Sequence, residues 1–438
     1  MKPIRLLLTL TGLFLFALQP VRAQSESRLA IIQTIDGPIT PATQEYLSRG
    51  IKIAHQRAAE VLIVQLNTPG GGIDAMNRMV QDMRASRVPI VVYVAPRGAW
   101  AGSAGTVITL AGHAAAMAPE TAIGAASPVG AQGEDLPTTE QTKVTEILKA
   151  TVRSLAARRG AEAIKLAEDT IEKARAVSAD EALQVGLVDF IAADLPDLLK
   201  QLDGFNIETV DGPRALQTAA ATVEYLPMTL IEQLLLMLTN PNFVFLLLSI
   251  GVQAIFIELS SPGGWVAGFI GAVCLALAAY GLGVLPVNWF GLFFLVIAFV
   301  LFIADIKAPT HGALTLAGIG SFIVGALVLF NSPGTPQFQR VSLPLVILVA
   351  IISGILFAII IGFALRAQKR PIVTGQEGMR GATGIARTNI DPTGQVQAAG
   401  ELWTAEAVEG SGKIRKGEKV EVVKVEGVRL KVRPRTQR

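Results

Sequence analysis

The chain has 438 residues, of which 51% are hydrophobic and 17% charged, against about 25% charged in ordinary soluble domains. Charged residues are frequent in residues 25–215 and rare in residues 242–365, so the sequence predicts a soluble domain followed by a membrane domain. The net charge of +3 is too small to indicate a nucleic-acid partner. Cys274 is the single cysteine, which excludes an intramolecular disulfide, and three histidines do not favour a multi-histidine metal site. No cofactor is therefore expected.

The N-terminus has the pattern of a signal peptide. Lys2 and Arg5 form a basic region, residues 6–18 are apolar, and residues 21–23 provide small residues at both positions of a cleavage site. We therefore predict a signal peptide over residues 1–23, with an uncleaved membrane anchor as the alternative. In either case the segment that follows is expected outside the cytoplasm.

Residues 24–215 alternate strand and helix patterns. Buried-strand patterns at residues 61–66 and 89–94 are each followed by a glycine-containing loop and then by a helical pattern. This alternation predicts an α/β domain with parallel strands, in which the loops after the strands carry the chemistry. Residues 216–241 are predicted as a linker.

Residues 242–366 are predicted as an inner-membrane domain of about five apolar helices. The candidate spans lie near residues 242–259, 264–284, 288–306, 312–330 and 343–365. The first span is short, so four spans with a re-entrant or interfacial segment remain an alternative. Arg366, Lys369 and Arg370 follow the last span and predict a cytoplasmic C-terminus, which requires an odd number of spans after an exported domain.

Residues 371–438 have the composition of a small β-barrel. Residues 420–425 and 428–432 alternate apolar and polar side chains across Glu426-Gly427, which predicts a hairpin. The segment is net positive, consistent with a position beside anionic cytoplasmic lipid.

A glycine loop over residues 67–72 forms the first part of the candidate site. The glycines follow a buried strand and precede a helical pattern, so their backbone N–H groups can approach an anion closely. In acyl transfer that anion is the oxyanion of a tetrahedral intermediate. An ordinary turn between strand and helix is the alternative. A phosphate-binding P-loop is excluded, because no Gly-Lys-Ser/Thr follows.

Small residues surround one serine in the segment 98–105, which follows the next strand. Ser103 stands at the predicted start of an apolar helix, where the helix dipole favours negative charge. The N–H group of Ala104 is unsatisfied within such a helix and can face an oxyanion. The alternative is that Ser103 acts only as a helix N-cap.

A nucleophilic serine needs a general base, and the histidines do not fit. His113 follows the same predicted helix and would point away from Ser103. His55 lies in a helical pattern before the glycine loop. The lysines that follow the serine motif are therefore the next candidates.

Two lysines of the next helical pattern differ in their position on the helix. An apolar stripe predicts its buried face, made of Val144, Ile147, Leu148, Thr151, Val152 and Leu155. Lys149 lies on the opposite, solvated side, whereas Lys143 lies at the edge of the stripe near the helix start. Burial there would lower the pKa of a lysine amine from about 10.4 towards about 7–8. From spacing alone, Lys143 can also be a surface lysine.

These elements, in this order, resemble the NfeD family of ClpP-class membrane serine proteases, which are often encoded beside stomatin-like proteins. The matching motifs are TPGG at residues 68–71, GA at 98–99, SAG at 103–105, IGAASPV at 123–129, SADEAL at 178–183 and GLVD at 186–189. The resemblance implies a ClpP/crotonase-like α/β domain, a multi-span α-helical membrane domain and a C-terminal OB-like barrel. Gly102 stands where the family usually has alanine, which is a small departure.

The resemblance also implies residue roles. Ser103 would be the nucleophile and Lys143, which begins the helix leading into residues 154–156, its general base. Oxyanion donors would be the N–H groups of Gly70 or Gly71 together with Ala104. The implied activity is endoproteolysis of hydrophobic segments, with a stomatin-like membrane protein as substrate or partner, and small proteases of this fold generally assemble into homo-oligomers.

Two other functions fit parts of the sequence. A catalytically silent scaffold that organises stomatin-like proteins would explain the large membrane and barrel regions, although the presence of both Ser103 and Lys143 argues against it. A crotonase-type acyl-CoA enzyme would share the fold and the oxyanion arrangement. An exported domain has little access to CoA, however, and the serine motif contains no carboxylate.

Overall fold

The structure is a computed structural model that describes residues 28–130, 134–260, 264–285, 287–308, 310, 312–330, 340–368 and 376–435. The predicted signal peptide lies outside these residues. So do Lys369 and Arg370, on which the predicted orientation of the C-terminus partly rests.

The described residues form sixteen strands, numbered here in chain order. The strands are β1 (Leu29–Asp36), β2 (Val61–Asn67), β3 (Ile90–Val94), β4 (Trp100–Gly102), β5 (Ala114–Met117), β6 (Ala122–Gly124), β7 (Ala176–Ser178), β8 (Phe190–Ile191), β9 (Asn206–Thr209), β10 (Gly212–Ala215), β11 (Thr222–Tyr225), β12 (Thr383–Ala386), β13 (Thr393–Ala398), β14 (Glu401–Ala407), β15 (Lys419–Glu426) and β16 (Arg429–Pro434).

Fourteen α-helices connect or follow these strands in the described part of the chain. The helices are α1 (Pro41–Gln56), α2 (Ile73–Arg84), α3 (Ala104–Ala111), α4 (Thr138–Ala156), α5 (Ala161–Glu172), α6 (Ala179–Gln184), α7 (Leu195–Leu202), α8 (Leu230–Met237), α9 (Pro241–Ser260), α10 (Val266–Val284), α11 (Trp289–Lys307), α12 (Ala313–Phe330), α13 (Leu343–Gln368) and α14 (Gln376–Met379).

A six-stranded parallel sheet, ordered β11-β1-β2-β3-β5-β8, forms the centre of the α/β domain. Its central strands are apolar on both faces because each face is covered by packed elements. In β2, Leu62 and Val64 belong to one core, whereas Val61 and Ile63 belong to the core on the other face. The predicted α/β architecture with parallel strands is confirmed.

The main sheet extends past residue 215. Strand β11 pairs in parallel with β1. It lies within residues 216–241, which are predicted as a linker from the sequence. The pairing joins Leu29 to Thr222 and Ile32 to Tyr225. A four-residue edge strand carries too short a pattern to be recognised from sequence.

A second, three-stranded sheet, ordered β4-β6-β7, lies beside the glycine loop. Strand β4 pairs in parallel with β6, and Thr68 forms a bridge to Ala101 of β4. This small sheet brings the segment after β2 and the segment after β3 to one place.

Five apolar helices, α9 to α13, fall where the sequence predicts spans. Three of them are long and apolar enough to cross a membrane within the described residues, namely Pro241–Glu258, Val266–Val284 and Ala313–Phe330. The corresponding parts of the other two are shorter, Trp289–Asp305 and Leu343–Ile359. The membrane domain is thus present, and the number of spans stays a prediction.

Two carboxylates near the ends of apolar helices cap the helix that follows. Glu258 accepts hydrogen bonds from the N–H groups of Trp265 at 3.1 Å and Gly268 at 3.3 Å. Asp305 is buried and accepts from the N–H group of Thr315 at 3.2 Å. The first N–H groups of a helix have no acceptor within the helix, and each carboxylate accepts hydrogen bonds from them. This role explains why an acidic residue stands near the end of an apolar helix.

Strands β12 to β16 form a closed barrel, ordered β12-β13-β14-β16-β15. Its interior is filled by alternating apolar residues that include Val396, Ala405, Val420 and Leu430. The predicted hairpin across Glu426-Gly427 is confirmed as the antiparallel pair β15–β16.

Candidate active site

The glycine loop and the serine motif are held side by side by backbone hydrogen bonds. The Thr68 N–H donates to the Trp100 carbonyl at 2.7 Å, and the Gly102 N–H donates to the Thr68 carbonyl at 3.0 Å. A Cβ on Gly102 would lie 3.1 Å from the Pro69 carbonyl oxygen. The alanine that the family usually has at this position would require the Pro69 carbonyl to shift by a few tenths of an ångström.

Gly70 packs directly on Ser103 and requires glycine for two reasons. Its φ of +118° lies in a region that side chains rarely adopt. A Cβ there would also lie 2.5 Å from the Ser103 Cβ, closer than packed carbon atoms approach.

The two candidate oxyanion donors of this loop differ in their hydrogen bonds. The Gly70 N–H donates to Thr68 Oγ1 at 3.0 Å. The bridge between Gly71 and Ile39 uses the Gly70 carbonyl and the Gly72 N–H, so the Gly71 N–H is directed to the other side of the strand. Of the two candidate donors, the Gly70 N–H is used by Thr68 and the Gly71 N–H takes no part in the pairing with Ile39.

Ser103 occupies the N-cap position of α3, but its side chain makes no capping hydrogen bond. Its backbone has φ 51° and ψ −118°, a conformation that is costly for a residue other than glycine and is concentrated at functional sites. The backbone is held by hydrogen bonds, since the Ser103 N–H donates to the Gly124 carbonyl at 2.9 Å and its carbonyl accepts from the Thr106 N–H at 3.0 Å. The N-cap alternative does not account for the hydroxyl group.

Thr106 is a positioning residue that sequence reasoning missed. Its buried hydroxyl lies 2.8 Å from the Ala101 carbonyl and 3.0 Å from the Gly124 carbonyl, which also accepts from Ser103. The Thr106 hydroxyl thereby contacts both β4 and β6, the paired strands that hold the serine turn. A threonine inside an apolar helix pattern gave no signal of this role.

Ala104 is the buried first residue of α3. Because the first N–H groups of a helix lack intrahelical acceptors, its N–H lies at the positive end of the helix dipole beside Ser103. All eight residues of α3 are buried, so the serine turn rests on a fixed element.

Ser103 lines a cavity of about 1470 Å³ together with Pro69, Gly71 and Ser127. Ser127 Oγ donates to the Ile171 carbonyl at 2.7 Å, so this second hydroxyl has a structural partner. Of the two serines, Ser103 has the geometry expected of a nucleophile.

The structure does not place Lys143 in this cavity. Lys143 is exposed near the start of α4 and is not among the cavity-lining residues in the described part of the chain. The expected buried face of α4 is also partly wrong, since Ile147 is 66% exposed. The stripe instead centres on Leu148 and Val152, which turns Lys143 and Ile147 outward together.

Lys149 and His113 are unsuited to act as the base. Lys149 is half-buried between Glu172 and Glu146, each 3.2 Å from its amine, and hydrogen bonds to these carboxylates raise its pKa. Burial lowers the pKa of His113 to about 4, and its Nδ1 accepts a hydrogen bond from the Ile90 N–H at 3.0 Å. His55 is exposed on α1.

Within the described ranges, the structure contains no group of three or more His, Cys, Asp or Glu residues that could hold a metal ion. The cavity does present the hydroxyl of Ser103 and the backbone of the glycine loop. Together with the apolar helices, this arrangement places the chain among membrane proteins that carry an α/β domain with a candidate serine site.

Three sequence families match successive parts of the chain. They are the NfeD1b N-terminal domain over residues 31–210, the NfeD integral membrane domain over residues 242–363, and the NfeD-like C-terminal, partner-binding domain over residues 376–434. The three matches follow the order of the α/β region, the apolar helices and the barrel.

Two relatives are similar over nearly the whole chain. The membrane-bound protease PH1510 of Pyrococcus horikoshii is 36% identical, with 97% of both chains covered. The membrane protein NfeD1b of Bacillus subtilis is 28% identical, also over 97% of both chains. The chain belongs to the NfeD family.

Among solved structures, a lysine-to-alanine variant of the 1510-N membrane-bound stomatin-specific protease, in complex with a substrate peptide, is 34% identical. The match covers 48% of this chain and 96% of that chain, with a TM-score of 0.45.

Proposed function

We propose that the protein is a membrane-anchored serine endopeptidase with Ser103 as its nucleophile. The observation that carries this proposal is the Ser103 turn. Its backbone has a conformation of high cost, its hydroxyl makes no capping hydrogen bond, and the residue lines the cavity. The 36% identity to a relative named a membrane-bound protease supports proteolysis as the activity.

The proposed residues divide the chemistry between a nucleophile, a proton carrier and oxyanion donors. Ser103 Oγ attacks the scissile carbonyl carbon while the Lys143 amine takes its proton. The N–H groups of Gly71, or Gly70, and Ala104 stabilise the oxyanion of the tetrahedral intermediate. The lysine then gives the proton to the leaving amine as the C–N bond breaks. The lysine amine then takes a proton from water, which attacks the acyl carbon. The C–Oγ bond to Ser103 breaks, the lysine amine returns the proton to Oγ, and the second product leaves.

For this mechanism Lys143 has to approach the cavity when substrate binds. Gly130 lines the cavity and α4 begins at Thr138, so Lys143 follows the cavity-lining segment closely along the chain. Catalytic hydrogen bonds often tighten only in the substrate complex, so the exposed position of Lys143 is compatible with the role.

The proposed substrate is a hydrophobic segment of a stomatin-like membrane protein. This follows the resemblance of the sequence and the substrate that is named for the 1510-N protease. The α/β domain would act on the extracytoplasmic side of the inner membrane, and the barrel would bind a partner on the cytoplasmic side. The polar helix α4, which exposes Ile147 beside Lys143, offers a surface for assembly into a homo-oligomer.

A catalytically silent scaffold for stomatin-like proteins is the second candidate. The observation that favours it is the exposed position of Lys143 outside the cavity. A scaffold would keep partner binding and membrane anchoring unchanged when Ser103 or Lys143 is replaced.

Cleavage of hydrophobic peptides by the full chain, purified in detergent, tests the two candidates. The protease proposal predicts that Ser103→Ala abolishes cleavage while the protein keeps its gel-filtration profile and its binding to a stomatin-like partner. Equal cleavage by the wild type and Ser103→Ala would contradict it. If the wild type neither cleaved peptides nor bound the partner, both the protease and the scaffold proposals would be wrong.

A further inference from the structure

The cavity that contains Ser103 extends beyond the α/β domain to the ends of the apolar helices. Its far wall is made by Leu236 and Met237 of α8, Phe243 and Leu246 of α9, Val284 of α10 and Leu345 of α13. These residues and Ser103 belong to one compact unit, which contains residues up to 299 and residues 319–351. One continuous space therefore joins the serine to the helix ends.

An ion pair holds α8, the first element of this wall, on the α/β domain. Arg49 of α1 binds Glu232 with two hydrogen bonds, from Nε at 2.7 Å and from Nη2 at 2.8 Å, and Nη2 also donates to the Pro227 carbonyl at 2.7 Å. Paired charge-assisted bonds of this kind fix orientation as well as distance. The wall therefore has a defined position relative to Ser103.

Helix α8 leads directly into the membrane domain. It ends at Met237, and α9 begins at Pro241. The connection packs closely on α10, because a Cβ on Gly281 would lie 2.8 Å from the Leu238 carbonyl oxygen. The side of α8 away from Glu232 exposes Leu230 and Ile231, which are 72% and 69% accessible. An exposed apolar helix face that continues into a membrane helix is suited to lie at the lipid surface.

The two walls of the cavity offer different chemistry. The wall near Ser103 is made by residues 38–41 and by Pro69 and residues 71–73 of the glycine loop. In this wall the Gly71 N–H takes no part in the pairing with Ile39, so it is a free donor for an extended chain. The opposite wall is made largely of apolar side chains from α8, α9, α10 and α13, interspersed with the polar side chains of Gln233, Thr239, Asn240 and Asn242. The described lining contains the carboxylates of Asp36 and Asp74 and no Lys or Arg side chain. The cavity therefore fits an extended peptide whose side chains are apolar.

We propose that the helix ends form the specificity wall of the cleft, which selects an apolar segment lying next to a membrane span of the substrate protein. Such a segment is held at the bilayer surface by its own span, at the level where α8 joins α9. Phe243 and Leu246 contact its apolar side chains while Ser103 attacks its backbone. This inference rests on the proposed protease function and names the class of substrate that the cleft takes.

The test uses the full chain in liposomes and two substrates that share one cleavage segment, one attached to a membrane span and one soluble. Phe243→Ala and Leu246→Ala should raise KM for the anchored substrate about tenfold, because each removes most of an apolar side chain from the contact. The matched control is Leu247→Ala, a half-buried neighbour that does not line the cavity and should keep the wild-type KM. Leu246→Met, which keeps apolar volume, should restore binding.

A serine-reactive probe separates failure of this inference from failure of the protease proposal. Equal probe labelling of Ser103 in all variants, with KM unchanged by Phe243→Ala and Leu246→Ala, would overturn the specificity wall alone. Cleavage that survives Ser103→Ala would overturn the protease proposal. The inference would also be overturned if the wild type preferred the soluble substrate. The same holds if added lipid inhibited cleavage at constant substrate density, because the cleft would then bind something other than a membrane-anchored segment.

Discussion

Gly70 and Ser103 are in direct contact: a Cβ atom on Gly70 would lie 2.5 Å from the Ser103 Cβ and 2.9 Å from its Oγ. The φ of +118° at Gly70 adds a second restriction at the same position. The glycine loop therefore determines where the serine hydroxyl can stand. A side chain at position 70 has to displace either the loop or Ser103.

We expect Gly70→Ala to reduce cleavage by about 100-fold, since a displacement of about 1 Å at a reacting group can cost that much. Gly72→Ala is the control, because Gly72 has φ −67° and a Cβ there would have 4.0 Å to the nearest atom, the Ile39 carbonyl oxygen. The measurement is peptide cleavage, with circular dichroism to check folding. Similar activity in both variants would show that the contact does not matter.

The Arg49–Glu232 ion pair should hold α8 on the α/β domain. Arg49→Ala leaves a largely buried carboxylate without its partner, for which we expect about 1–3 kcal/mol of local destabilisation. The control is Arg57→Ala, which breaks the exposed pair with Glu224 and should cost much less, because solvent screens an exposed ion pair.

Limited proteolysis of residues 226–240 measures the opening of this segment. We expect faster cleavage there in Arg49→Ala than in the wild type, and no change in Arg57→Ala. Equal protection of the segment in all three proteins would mean that packing alone holds α8.

His113 should make the main sheet less stable in acid. Burial lowers its pKa to about 4, whereas an unfolded histidine has a pKa of about 6.5. As pH falls from 6.5 to 4 the unfolded chain binds a proton that the folded chain does not, so stability decreases over this window. The total loss is about 3 kcal/mol.

Hydrogen exchange of residues 90–94, corrected for the intrinsic effect of pH, measures this loss, because Ile90 donates to His113. We expect protection to fall between pH 6.5 and pH 4 in the wild type and to fall less in His113→Asn. Replacement of the exposed His55 by asparagine serves as the control and should leave the slope unchanged. An identical slope in His113→Asn would assign the acid sensitivity to other groups.

Lys143 and Lys149 lie on the same helix, and only the first is proposed as the base. Lys143→Ala should abolish cleavage, and Lys143→Arg should not restore it, because a guanidinium group stays protonated. Lys149→Ala removes the ion pairs with Glu146 and Glu172 and should keep most of the activity. If Lys149→Ala were the inactive variant and Lys143→Ala the active one, the assignment of the base would be wrong.

The fold was predictable wherever long apolar patterns carry it. Strands β2 and β3, the five apolar helices and the β15–β16 hairpin lie where their patterns predict them. Strand β11 was missed because an edge strand of four residues has almost no periodicity. Ile147 was placed on the buried face of α4, and it is exposed because the helix packs through Leu148 and Val152 instead.

The sequence indicated the residues of the candidate site but not their geometry. Residue types and spacing indicated Gly70, Gly71 and Ser103, but no pattern reports the backbone angles that present the Ser103 hydroxyl. The choice between Gly70 and Gly71 depends on the Thr68 Oγ1 hydrogen bond, which arises only when the loop pairs with β4. The exposure of Lys143 depends on the rotation of α4, which the apolar stripe defined only approximately.

The decisive experiment is labelling of the full chain with a serine-reactive covalent probe, followed by mapping of the modified residue by mass spectrometry. We expect adduct on Ser103 and none on Ser127, because the Ser127 hydroxyl is bonded to the Ile171 carbonyl. We also expect Lys143→Ala to slow the labelling greatly. Adduct absent from Ser103 in folded protein, or formed there at the same rate without Lys143, would contradict the proposed mechanism.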